Sequence, residues 1–214
     1  MLKPIGILGG SFDPVHKGHL SLAVSVYRHF DLLEVRLIPL YQPVHRAALH
    51  ASVEQRLQML QLAVSEQQAM RIDDREIARA GPSYTIDTLK SLRRELGQQA
   101  LCLIVGMDAF VSLDSWHEWE SVIEYAHIVY SRRPGSELKI DNRQLRNLYG
   151  ERFCEDPREL QQSSAGSIFE VPAPQLDISS TKVREMIKKN QSLAEVLPEE
   201  VQTFIRKEGI YNRH

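Results

Sequence analysis

The chain has 214 residues, 43% of them hydrophobic and 25% charged, the composition of an ordinary folded protein with apolar surface enough for one sizeable core. Twenty-six Lys and Arg against 28 Asp and Glu leave a formal charge of −2, which excludes the basic excess by which proteins hold a nucleic-acid backbone. No run approaches a membrane span, the opening MLKPIGILGGSFD is too short and interrupted for a secretory signal, and Cys102 and Cys154 lie in unlike settings that argue against a disulfide, so a reducing cytoplasm is expected.

In chain order, the first element is the apolar run PIGIL, read as a strand ending near Leu8. Gly9 and Gly10 follow, and are expected to turn the chain or to let a ligand come close, since glycine alone lacks an obstructing Cβ. After Ser11, Phe12 and Pro14 the stretch HKGHLSLAVSVYRHF reads as a helix opening close to His16, which places His16 and His19 on one face of its first turn. Gly18 between them leaves room for a flat ligand. The loop matches neither the dinucleotide nor the P-loop fingerprint. A metal site is disfavoured by the spacing of three, by Lys17 between the histidines and by the lack of a third ligand in reach.

LEVRLIPL is the second strand, and VEQRLQMLQLAVSE a helix with Val53, Leu57, Leu60 and Val64 on its inner face. MRIDDREI is a weaker strand; TIDTLKSLRRELG is a helix whose inner face is Ile86, Leu89, Leu92 and Leu96, stopped by Gly97. The unbroken apolarity of LCLIVG predicts a strand covered on both sides, and Asp108 directly after it lies where site residues sit in open parallel sheets. AHIVYS and SIFEVP are further strands. Between them residues 134–166, poor in apolar residues, read as an elaboration of one domain spanning 1–214. Strands alternating with helices give an α/β fold: a doubly wound, Rossmann-like, mainly parallel sheet with helices on both faces and a C-terminal helical elaboration.

The last motif is LDISSTKVREMIKK, residues 176–189. Ser179, Ser180 and Thr181 are candidate N-caps of a helix carrying Val183, Met186 and Ile187, and free N–H groups there favour anions. Arg184 in the first turn would oppose the helix dipole, so a bound anion beside it makes better sense of it, and its loss should leave the fold as stable or slightly more so.

Together HKGH and ISSTKVR resemble the nucleotidyltransferase superfamily whose signature is His-x-Gly-His near the N-terminus and Ile-Ser-Ser-Thr-x-x-Arg near the C-terminus. The resemblance extends to the bacterial nicotinate mononucleotide adenylyltransferases through GGSFDPVHKGHL, IPLYQPVHR, PSYTIDTL, VGMDAF, SWHEWE and SRRPG, in that order. It implies adenylyl transfer from ATP to nicotinate mononucleotide, with Mg²⁺ carried by the ATP phosphates. ATP would be held by Gly9, Gly10, Ser11, Phe12, His16, Gly18, His19, Gly106, Ser179, Ser180 and Arg184, with His16, His19 and Arg184 catalytic. Tyr84 and Thr85 would meet the pyridine carboxylate, Trp116 would stack on the ring, Asp108 would hold a ribose hydroxyl, and Arg133 with His45 or Arg46 would reach phosphate. The motif favours Arg133 over Arg132, and Trp119 is expected in the core. A phosphopantetheine adenylyltransferase or a cytidylyltransferase would keep the outer motifs without needing SWHEW, and a non-catalytic nucleotide-binding module is expected to have lost one of them.

Overall fold

The computed structural model describes residues 3–44, 49–132, 137–172 and 178–212. Six strands, β1 (Ile5–Gly10), β2 (Glu34–Pro39), β3 (Met70–Ile72), β4 (Leu101–Gly106), β5 (His127–Arg132) and β6 (Ile168–Pro172), form one sheet in the order β3-β2-β1-β4-β5-β6. Every pairing is parallel. The chain winds outward from β1 to β3 and then returns to lay β4 on the other side of β1. Between β1 and β4, therefore, the strand order reverses, and it is at the carboxyl ends of the strands flanking such a point that doubly wound sheets form their ligand crevice.

Alternation along the strands feeds two cores. Leu101, Leu103 and Val105 of β4 face one side with Ile128 and Tyr130 of β5, while Cys102, Ile104 and Val129 face the other. This is why LCLIVG is apolar without a break. The first face is covered by α4 (Thr85–Leu96), α5 (Met107–Val111), α6 (Trp119–Tyr125) and α7 (Arg143–Arg152). The second is covered by α1 (Lys17–His29), α2 (Val53–Val64), α8 (Ser180–Lys188) and α9 (Glu199–Glu208). In α4 the fully buried Ile86, Leu89 and Leu92 follow the expected stripe, each contributing about 1.5–3 kcal/mol by leaving water. Leu96, at the helix end, is only half-buried.

Three elements depart from the pattern read in the sequence. The strand expected over MRIDDREI stops at Ile72, because DREI opens a short helix, α3 (Arg75–Arg79). The buried face of α2 is Arg56, Met59, Leu60 and Ala63, rotated about one residue from the expected Val53, Leu57 and Val64. Apolar periodicity assigned that rotation wrongly because it counts Arg56 as a solvent residue, whereas its two Nη groups are satisfied by carbonyls inside the protein. Within 134–166, the described residues 137–166 carry α7 and a 3₁₀ turn (Pro157–Gln161), and they form the crossover from β5 to β6. Ile140 and Leu145 enter one core and Leu160 the other, so few apolar residues suffice to dock the segment.

Candidate active site

The crevice between β1 and β4 gathers the GGSFDPVHKGH loop, the amino end of α1, Gly106 and Asp108 at the end of β4, and the amino end of α8. Gly9 and Gly10 do not turn the chain: β1 continues through both, pairing them with Ile38 and Pro39, and the bend falls one step later at Phe12, a buried side chain held at φ +46°. What the glycines supply is space. A Cβ on Gly9 would meet nothing within 4 Å, and one on Gly106 likewise, so both face open space at the ends of β1 and β4. A Cβ on Gly10 would press on the Phe12 ring at 3.3 Å.

His16 is the N-cap of α1, and the two histidines close a reciprocal capping box. The His19 N–H donates to His16 Nδ1 and the His16 N–H donates to His19 Nδ1, both at 3.3 Å. The rings stack with centroids 3.6 Å apart, and Phe12 meets His19 edge-on at 5.0 Å. With each Nδ1 an acceptor, a neutral imidazole must carry its proton on Nε2. Burial, with the neighbouring ring adding to it for His19, keeps both from charging: His16 is depressed to about 4 and His19 lies well below its ordinary value. The pair is therefore two parallel neutral donors. Gly18 serves this pair more directly than it serves a ligand, since a Cβ there would sit 3.0 Å from His16 Nδ1.

The depressed His16 sets an acid limb for stability. The ordinary value is 6.5, so below that pH the unfolded chain takes up a proton that the folded chain refuses until about pH 4. The part owed to His16 should be intact above about pH 7 and fall by about 2 kcal/mol by pH 5, with the depressed His19 and His127 adding to the loss. Urea titrations at pH 7 and pH 5 read the loss. His16→Asn, which can cap without titrating, should lessen it; an unchanged pH dependence would place the acid-labile groups elsewhere.

From the other side α8 begins at Ser180, capped by Ser179, whose hydroxyl accepts from the Lys182 N–H at 3.2 Å. The Ser180 hydroxyl donates to the Pro14 carbonyl at 3.0 Å, so what Ser180 can offer a phosphate is its backbone N–H. Arg184 is the fifth residue of α8, past the first turn, and its guanidinium donates to the Asp13 carbonyl at 2.6 Å and to Thr181 Oγ1 at 3.1 Å. The dipole conflict expected from the sequence is thus relieved by the protein itself. Arg184→Ala should weaken ATP use, and it should also lower stability by about 1–2 kcal/mol rather than raise it, because the Asp13 carbonyl loses its charged donor. ATP titration and a melting curve on the same sample decide; a stability gain would restore the dipole account.

Residues that the sequence did not single out hold this geometry. Asp13 is buried, its carboxylate accepting from the His50 and Ala51 N–H groups at 2.9 and 3.0 Å and from the Tyr211 hydroxyl at 2.8 Å. Arg56, fully buried, donates to the carbonyls of Ser11 at 2.9 Å and Leu40 at 2.8 Å, while its Nε has no acceptor among the described residues. Nothing in the local pattern marks these contacts, which join positions up to 198 residues apart.

Beside the crevice, Tyr84 and Thr85 form the amino end of α4, with no side chain capping it. The Tyr84 ring lies 4.4 Å from that of His117. Asp108 is exposed at the end of β4; Trp116 and Trp119 are both half-buried against the core of that face, so burial does not separate them. Arg132 pairs with Glu170 at 2.8 Å. His45, Arg46 and Arg133 lie outside the described residues. Among the described residues no group of three or more His, Cys, Asp and Glu comes together that could hold a metal ion, and no helix is long and apolar enough to cross a membrane.

The sequence profile of the cytidylyltransferase-like family matches residues 7–186. A protein of Marinomonas sp. (strain MWYL1) named probable nicotinate-nucleotide adenylyltransferase is 41% identical over 214 residues, covering 97% of this chain and 94% of that one. One of the same name from Aeromonas salmonicida (strain A449) is 41% identical over 212 residues, covering 99% of each. Among solved structures, the nicotinic acid mononucleotide adenylyltransferase of Plasmodium falciparum complexed with APC superposes with a TM-score of 0.74 at 17% identity, over 99% of this chain and 98% of that one. The same enzyme complexed with NaAD gives 0.73. At that identity the likeness speaks for the fold.

Proposed function

We propose, from the premise that this chain belongs to the cytidylyltransferase-like family and within it to the nicotinate-nucleotide adenylyltransferases, that the crevice between β1 and β4 is where its two substrates are joined. The reaction is adenylyl transfer from ATP to nicotinate mononucleotide, forming nicotinate adenine dinucleotide and pyrophosphate in NAD biosynthesis. A phosphate oxygen of the mononucleotide attacks the α-phosphorus of ATP, and the bond from that phosphorus to the β-bridging oxygen breaks. The nucleophile is already an anion at neutral pH, so no side chain need remove a proton. Alignment and charge stabilisation are what the protein must supply.

The observation that carries this reading is the histidine capping box. It fixes two neutral Nε2–H donors side by side at a helix amino end, a geometry made for phosphate oxygens and unsuited to a base or to a pair of metal ligands. His16 and His19 hold the ATP phosphates as charge moves toward the leaving group, the amino end of α8 and Arg184 hold the β and γ groups, and the open faces of Gly9 and Gly106 admit the nucleotide. For the mononucleotide, Tyr84 and the uncapped N–H groups at Thr85 receive the pyridine carboxylate, Trp116 stacks on the ring, and Asp108 takes a ribose hydroxyl. By the family resemblance, Arg133 with His45 or Arg46 would reach phosphate.

Mg²⁺ fits as a companion of the triphosphate. His16, His19 and Arg184 are donors that attract phosphate oxygens, the Asp13 carboxylate is taken up by donors of the protein, and Asp108 alone is no cage for a bare cation, as expected when magnesium is bound through substrate phosphates and water. Bound there, it would neutralise phosphate charge. A cytoplasmic location accords with this, as ATP is the substrate and both thiols are free. Product analysis after incubation with ATP, Mg²⁺ and each of nicotinate mononucleotide, nicotinamide mononucleotide and phosphopantetheine tests the assignment. Nicotinate adenine dinucleotide and pyrophosphate in equal amounts are expected; product from phosphopantetheine alone would move the chain to another branch of the superfamily.

A further inference from the structure

We infer that Tyr211, after α9 and far from the crevice in sequence, is a positioning residue for ATP: its hydroxyl restrains the Asp13 carboxylate and so keeps Arg184 available to phosphate. The inference rests on the function proposed above. Asp13 is 2% exposed, and its Oδ1 takes the Tyr211 hydroxyl at 2.8 Å and the Ala51 N–H at 3.0 Å. Its Oδ2 takes the His50 N–H at 2.9 Å, with His50 Nδ1 at 3.3 Å. These donors leave Oδ2 at 3.9 Å from Arg184 Nη1, beyond hydrogen-bonding distance, while that nitrogen donates instead to the Asp13 carbonyl.

Arg184 is thus held by the Asp13 carbonyl and Thr181 Oγ1, with the carboxylate near it at 3.9 Å but not in a hydrogen-bonded, two-pronged pair. The buried Arg56 is not free to pair with the carboxylate in place of Arg184, because both of its Nη groups are already held by the Ser11 and Leu40 carbonyls. Remove the Tyr211 hydroxyl, and Oδ1 is left a buried acceptor short of a donor. Arg184 Nη1 stands 3.9 Å from Oδ2, and a small rotation of Asp13 would form the charge-assisted pair now withheld. The guanidinium would then face its own protein in place of the ATP phosphates. Tyr211 itself sits at φ +69°, a conformation few side chains adopt, and is only 7% exposed, so its ring is held in place by tertiary contacts rather than by local preference.

Tyr211→Phe keeps the ring and deletes only the hydroxyl. The expected result is a rise of about tenfold in KM for ATP, the scale of one hydrogen bond to a charged group, with KM for nicotinate mononucleotide unchanged. KM counts only folded molecules, so a lowered melting temperature does not obscure the reading. In an Arg184→Ala background the same substitution should change KM for ATP by less than about twofold, because the group it acts through is gone. An unchanged KM for ATP, equal changes for both substrates, or full additivity with Arg184→Ala would each overturn the inference. A wild-type protein that forms no nicotinate adenine dinucleotide would instead overturn the function it rests on.

Discussion

His16→Ala and His19→Ala are each expected to lower kcat by roughly two to three decades, equivalent to about 2.7–4 kcal/mol of lost transition-state stabilisation per phosphate-directed donor. The structure sharpens why. Each ring is held by a backbone N–H on Nδ1, so Nε2–H is oriented before substrate arrives and costs no reorganisation during reaction. The rings stack at 3.6 Å, so removing one also loosens its neighbour, and the double variant should lose less than the sum of the two. Alanine also removes a cap, a loss of about 1 kcal/mol of stability. His16→Asn separates the two effects: its amide oxygen can accept the His19 N–H, but it places no donor where Nε2 stood. It should fold like wild type and still lose most of kcat. Near-normal turnover in His16→Asn and His19→Ala would remove the imidazoles from catalysis and leave the box a structural cap.

Nicotinate mononucleotide should be preferred over nicotinamide mononucleotide by several decades in kcat/KM. The amino end of α4 presents N–H groups that no side chain caps, with Thr85 as its first residue. An ionised carboxylate accepts on both oxygens and donates nothing, whereas a carboxamide turns an NH₂ toward one of the converging donors. Bonds to the charged group are about twice as strong, and the amide also leaves a donor of the protein unpaired. No lysine or arginine lies in PSYTIDTL, so what this stretch itself offers a carboxylate is N–H and hydroxyl donors. Measuring kcat/KM for both mononucleotides in wild type and Thr85→Ala distinguishes side chain from backbone. Equal use of both by wild type would remove the nicotinate preference while leaving adenylyl transfer intact; an unchanged ratio in Thr85→Ala would assign the selection to the backbone N–H groups.

Local chemistry determined much of this protein from the sequence. The run LCLIVG, apolar at both parities, pointed to a strand covered on two faces; Ile86, Leu89 and Leu92 formed one helical stripe; and the spacing in HKGH put two imidazoles together at the start of a helix, His16 as its N-cap and His19 in its first turn. Those signals lie within a few residues of one another, where the periods of strand and helix decide the outcome.

What the tertiary structure alone decided are the contacts that close over long separations. The proximity of Asp13 to Tyr211, the burial of Arg56 beneath Ser11 and Leu40, and the anchoring of Arg184 on the Asp13 carbonyl depend on how α2, α8 and the segment after α9 meet the end of β1. A charged side chain carries no local mark of being buried, since only the acceptors brought to it by the fold make burial affordable. The same holds for the histidines' role. Their spacing was legible, but that they are neutral, with their protons on Nε2, follows from the backbone N–H groups facing each Nδ1 and from the desolvation that the packed loop imposes.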